Sequence, residues 1–87
     1  MTVYMVERAL KGISTDQLAA AQKAAIKTAE ALSREGKQVR YLRSTFVPAE
    51  GTCMCLFESD KAETVRALND AAGLPYDRVV EAMDLAP

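Results

Sequence analysis

Apolar positions along this chain recur first with a period of two, then with a period near 3.6, and each switch marks an element. Thr2 to Arg8 alternates and is rich in Val, Tyr and Met, which predicts a strand. Lys11-Gly12-Ile13 reads as a loop. From Ser14 the spacing turns helical: Leu18, Ala21, Ala25, Ala29 and Leu32 form one apolar stripe, while Lys23, Lys27, Glu30 and Arg34 form a solvated face. Ser14 with Gln17 makes a capping box, and Asp16 suits the helix dipole. Gly36 is the expected stop. Gln38 to Val47 reads as a second strand, Pro48-Ala49-Glu50-Gly51 as a turn, and Thr52 to Glu58 as a third strand paired with the second. Asp60 is expected to cap a second helix, with Glu63 at its third position and a stripe of Ala62, Val65, Leu68 and Ala72. Gly73 and Pro75 end it. Arg78 to Leu85 reads as a fourth strand.

The order β-α-β-β-α-β predicts one α+β domain over residues 1–87. Each helix crosses between two strands of one sheet, and a tight hairpin joins the halves. A ferredoxin-like antiparallel sheet satisfies both conditions, with the first and third strands central and both helices on one face. The strands are apolar on both sides: Val3 and Met5 alternate with Tyr4 and Val6, and Cys53, Cys55 and Phe57 with Met54 and Leu56. Such a sheet needs cover on both faces. Two helices cover one, so the expectation for the other is a second copy of the chain, packed sheet to sheet as a dimeric α/β barrel with a pocket between.

Charge narrows the function. The 11 basic and 12 acidic residues interleave to a net charge of −1, so nothing favours capture of nucleic acid or an anionic membrane. The first eight residues lack the basic and apolar regions of a signal peptide, and no apolar run approaches the ~20 residues of a membrane span. The expected location is cytoplasmic. Histidine is absent, which removes the commonest general base and transition-metal ligand. Two cysteines do not make a disulfide scaffold, and four scattered glycines make no phosphate cradle.

Three sets of residues could carry chemistry. Cys53 and Cys55 share a strand face, with Cα atoms ~6.6 Å apart at about 3.3 Å per residue. Their side chains run parallel, which disfavours a disulfide but lets two thiolates share a soft metal such as copper(I) or zinc. The structural reading is two small buried hydrophobes. Glu7 and Glu81 sit in apolar strands that neighbour each other in this topology. If both face the uncovered side, they form a carboxylate pair able to hold a proton or a cation. Otherwise each pairs with an arginine, Arg8, Arg40 and Arg43 being the candidates. Tyr41 and Arg43 have the same parity, predicting one pocket wall where Arg43 takes a carboxylate or phosphate; the alternative is edge protection. Because both sheet faces are apolar, a one-residue change of register would exchange these residues for Arg8, Met54 and Asp84.

Val6-Glu7-Arg8, the Gly12-Ile13 loop, Val39-Arg40-Tyr41-Leu42-Arg43-Ser44 and the run Ala72 to Glu81 together resemble a small bacterial ferredoxin-like family, catalogued as a domain of unknown function, one member of which binds nickel. The resemblance implies a ferredoxin-like dimeric α/β barrel. It implies that Glu7 stands where the nickel-binding member has a strand-one His, that Glu81 matches a last-strand Glu, and that Cys55 matches a third-strand Cys. Nickel or zinc would then be the metal, with Glu7, Cys53, Cys55 and Glu81 as ligands.

The leading expectation is a small homodimeric binding protein for a metal ion or small molecule, in a pocket on the open sheet face. Glu7, Tyr41, Arg43 and Glu81 would meet the ligand, without strong catalytic machinery. Two alternatives stand beside it. One is a cofactor-independent oxygenase or isomerase, with Glu7 or Glu81 as base and Arg43 orienting an acid. The other is a purely structural module.

Overall fold

Four strands and two helices follow one another in the predicted order through the computed structural model, which describes residues 1–87. They are β1 (Thr2–Ala9), α1 (Thr15–Arg34), β2 (Val39–Val47), β3 (Thr52–Ser59), α2 (Ala62–Ala71) and β4 (Arg78–Ala82). The sheet order is β2-β3-β1-β4, with every neighbouring pair antiparallel. The first and third strands are therefore central, as expected. No helix is long and apolar enough to cross a membrane.

The Ser14 capping box forms: Gln17 N–H donates to Ser14 Oγ, and Gln17 Oε1 accepts from Ser14 N–H, both at 3.1 Å. Gly36 closes α1 at φ 92°, where a side chain would be strained. The start of α2 differs from expectation. Its N-cap is Lys61, with no side-chain cap bond. Asp60 is instead turned back, its Oδ1 accepting from Ser59 Oγ at 3.2 Å. The last strand is also shorter than predicted. β4 pairs only with β1, and its ladder stops at Ala82 opposite Val3, where β1 is running out. Met83 and Leu85 beyond it are exposed.

Both helices cover one face. Ala25 and Ala29 of α1 and Val65 and Leu68 of α2 join Val6, Val39, Cys53, Cys55 and Phe57 in a single buried core. The register places Val6, Cys55, Ser44 and Val79 in one row on this side, and Tyr4, Phe57, Tyr41 and Glu81 in the next. The opposite, open face carries Val3, Met5, Met54, Leu56 and Val80. All three ion pairs lie here: Arg40–Glu58 at 3.1 Å, Arg78–Glu7 at 2.7 Å and Arg43–Asp84 at 3.0 Å. The last links the β2 edge to the segment after β4, so it spans the open face.

One irregularity decides the site. Tyr41 pairs with Phe57 but Arg43 with Leu56, so Leu42 is an extra residue in β2. A bulge of this kind shifts the alternation by one. Tyr41 therefore faces the helices and Arg43 the open side, although their spacing alone predicts a common face.

Candidate functional site

The groups expected to converge are divided between the two faces. Glu7 and Arg43 lie on the open face, each in an ion pair, with Arg78 and Asp84 respectively. Glu7 thus finds an arginine, but one that enters with β4 rather than Arg8, Arg40 or Arg43. Glu81 stands opposite Tyr4 at the other edge of the helix-facing side and is exposed. Cys53, Cys55 and Tyr41 also face the helices. The physical reason is parity: Glu7 pairs with Arg78 and Met54, so Glu81 and the cysteines fall on the opposite side of the sheet. Glu7 and Glu81 form no carboxylate pair, and Tyr41 and Arg43 share no wall.

A different constellation gathers between α1 and the sheet. There a cavity of about 280 Å³ is lined by Arg8 and Leu10 of the β1 end, Leu18, Ala21 and Ala25 of α1, Tyr41, Ser44 and Phe46 of β2, Cys53 and Cys55 of β3, and Leu74. The exposed Thr15, Ala19 and Gln22 of α1 stand at its rim. The sequence explains the space. After Leu18, α1 presents the small side chains of Ala21 and Ala25 to this part of the sheet, and a helix resting on methyl groups leaves a void between the larger residues that prop it.

A line of polar atoms runs along one wall. Gln22 Nε2 donates to Tyr41 OH at 3.0 Å, and Tyr41 OH lies 2.6 Å from Ser44 Oγ. Ser44 Oγ donates to Cys55 Sγ at 3.0 Å, and Cys55 Sγ is 3.8 Å from Cys53 Sγ. Both thiols are free and buried. Burial first, then the neighbouring Cys55 thiol, pushes Cys53 up to about 11, against the opposing pull of Arg8. Cys53 is therefore a neutral thiol near pH 7. Tyr41 is fixed from its other side by edge-to-face packing on Phe57, ring centres 5.5 Å apart.

At the end of this line sits Arg8, only 3% exposed. Its Nη2 donates to Asn69 Oδ1 at 2.7 Å and its Nη1 to the Pro75 carbonyl at 3.1 Å. Asn69 is fully buried and held in turn by its Nδ2 bond to the Val65 carbonyl at 2.8 Å. Arg8 takes part in none of the three ion pairs. A buried charge without an opposite charge is rare, because desolvation is costly. Two signals in the sequence point to it: Arg8 has the parity of the core residues Tyr4 and Val6, and Asn69 sits one residue beyond Leu68 on the buried side of its helix.

The donor set for nickel or zinc does not assemble within one chain. Glu7, Glu81 and the thiols lie in three places, no three His, Cys, Asp or Glu side chains cluster, and the cavity lining contains no carboxylate. The two thiols supply only a pair. Their 3.8 Å separation matches two metal–sulfur bonds of about 2.3 Å meeting at a tetrahedral angle.

The chain is similar in fold and sequence to a solved protein, SCO4226 from Streptomyces coelicolor A3(2). Its crystal structure matches with 28% identity and a TM-score of 0.77, over 97% of this chain and 99% of that one. Among curated proteins, none matches. The family described as nickel responsive protein SCO4226-like matches residues 4–82, which takes in both helices and all of the strands but the first two residues of β1. The chain belongs to the SCO4226-like family of nickel responsive proteins.

Proposed function

We propose that the protein is a small ligand-binding protein, working as a homodimer of the dimeric α/β barrel type, whose ligand occupies the cavity between α1 and the sheet. The observation that carries this reading is the cavity itself: about 280 Å³, mostly apolar, with hydroxyl, thiol and guanidinium groups converging from one side. A well-formed apolar pocket with a few convergent polar groups is the usual form of a small-molecule site. The pairing of open faces is supported by their composition. An apolar row of Leu56, Met5 and Val80, extended by Met54, has the Arg40–Glu58 and Arg78–Glu7 pairs to either side, as an interface core has its polar rim, while the Arg43–Asp84 pair crosses the row and has to be taken up in the interface. The oxygenase or isomerase alternative loses its base, since neither Glu7 nor Glu81 lines the cavity.

A second reading has one specific observation behind it. The thiol separation suits a soft ion held by Cys53 and Cys55, which would connect the cavity to the metal in the family's name. Two measurements separate the readings. The neutral fluorophore N-phenyl-1-naphthylamine is expected to saturate at one site per chain and to lose that site in Ala21→Phe, which fills the cavity. Native mass spectrometry of untagged, reduced protein is expected to give a dimer without stoichiometric nickel or zinc. Stoichiometric metal that disappears in Cys55→Ser would replace the first reading with the second. A monomer at micromolar concentration would remove the dimer.

A further inference from the structure

The charge on Arg8 specifies the ligand more closely than the cavity's shape does. An arginine carries five N–H donors and keeps its charge in proteins. Two of the five are used, on Asn69 Oδ1 and the Pro75 carbonyl, and both acceptors are neutral. Nothing else in the chain neutralises it. It has no carboxylate partner, the cavity lining contains none, and the Cys53 thiol opposite Arg8 in the sheet holds its proton. The remaining donors belong to a side chain that is buried yet lines the cavity. An anion placed in the cavity would meet those donors and remove the unpaired charge in one step.

We propose that the cavity binds a small apolar monocarboxylate, its carboxylate on Arg8 and its hydrocarbon body against Leu18, Ala21 and Phe46. This rests on the reading of the cavity as the ligand site. The number of charges sets the class: Arg8 is the only cation in the lining, so it balances a monoanion, and a phosphate dianion would bury a net negative charge. The size follows from the volume. A cavity of about 150 Å³ admits benzene, so about 280 Å³ holds an aromatic ring or a short alkyl chain together with its acid group. The line from Ser44 to Tyr41 offers hydroxyl groups to a polar substituent and sets no requirement for one.

The test is an isosteric series, 3-phenylpropanoate, 3-phenylpropanamide and 3-phenylpropylamine, titrated calorimetrically into the untagged, reduced protein. The acid is expected to bind at least tenfold more tightly than the amide, and the amine not at all. Arg8→Gln is expected to bring acid and amide to equal affinity. If that variant does not fold, Ala21→Phe, which leaves both Arg8 hydrogen bonds in place, is expected to abolish binding of the acid. Equal affinity of acid and amide for the parent protein would overturn the inference. If N-phenyl-1-naphthylamine still saturates one site, the cavity reading survives that result. If neither the fluorophore nor any acid binds, both fall together.

Discussion

Asn69→Leu removes the side-chain partner of the buried arginine while keeping the volume of the side chain. The guanidinium then keeps one acceptor, the Pro75 carbonyl, and Val65 loses the bond from Asn69 Nδ2. A hydrogen bond to a charged group contributes about 1.5–3 kcal/mol, and an unmet buried polar group costs about 1–3 kcal/mol. A loss of about 2–4 kcal/mol is therefore expected. For a chain of this length the total stability is about 4–13 kcal/mol, so the variant forfeits a large fraction of it. With a urea slope near ~1 kcal/mol/M, the unfolding midpoint followed by circular dichroism should fall by about 2–4 M. Arg8→Met should be destabilising too, since it strands Asn69 Oδ1. The double variant Arg8→Met/Asn69→Leu removes both polar partners together and should be at least ~1 kcal/mol more stable than the two losses added. Strict additivity, or a midpoint for Asn69→Leu within about 0.5 M of the parent, would refute the view that the two side chains form one buried unit.

Gly51→Ala is expected to cost more than ~2 kcal/mol, because its backbone has φ +67° and a Cβ there would meet Lys11 Cα at 2.5 Å. Gly12→Ala, with φ +80° and open space around it, should cost about 1 kcal/mol; thermal melts of the pair distinguish collision from backbone strain. Ser14→Ala should lower stability by about 0.5–2 kcal/mol through loss of the capping box, read as a urea midpoint shift. The Cys53 thiol ionises at about 11 when folded and 9.0 when unfolded. Its contribution is complete below pH 9 and is lost as pH rises towards 11, because the unfolded chain gives up its proton first. Denaturation midpoints of parent and Cys53→Ala across that range should converge; parallel profiles would contradict the burial of the thiol. Glu7→Gln should change stability by less than ~1 kcal/mol, since the pair is half-exposed, with Arg78 on its solvent side; a larger loss in melts at dilute concentration would mean that the pair is screened from water.

The elements were legible because strong local signals agreed with the packing. The Ser14 box, the Leu18 to Leu32 stripe, the Pro48 to Gly51 turn and the strand order all follow from spacing and turn chemistry. The site was less legible, for reasons of parity. Val3, Met5, Met54 and Leu56 are as apolar as Tyr4, Val6, Cys53 and Cys55, so hydrophobicity alone does not say which set meets the helices. Nor do the charged residues, since adjacent Glu7 and Arg8 put one on each face. Arg8 on the covered side needed a polar anchor from α2, and Asn69 provides it, whereas Glu7 on the other side found Arg78 and solvent. Leu42 is a second obstacle. Nothing in Arg40-Tyr41-Leu42-Arg43 announces an extra residue, yet it separates Tyr41 from Arg43. The cavity had a readable sign in the alanines of α1, which satisfy the helical period without filling the volume beneath them.

The extra residue in β2 behaves like an inserted letter between two reading frames. On either side of Leu42 the strand alternates correctly, with Val39 and Tyr41 inward before it and Ser44 and Phe46 inward after it. Removing Leu42 alone would leave every other residue of the strand facing as it does now. Such an insertion is tolerated because β2 is an edge strand and has only β3 to keep step with. In β1 or β3 the same insertion would have to be matched by two neighbours at once. The edge that supplies Tyr41, Ser44 and Phe46 to the cavity is thus the part of the sheet that can change length without disturbing the centre. The pocket can be reshaped by local insertion or deletion while the four-stranded frame stays fixed.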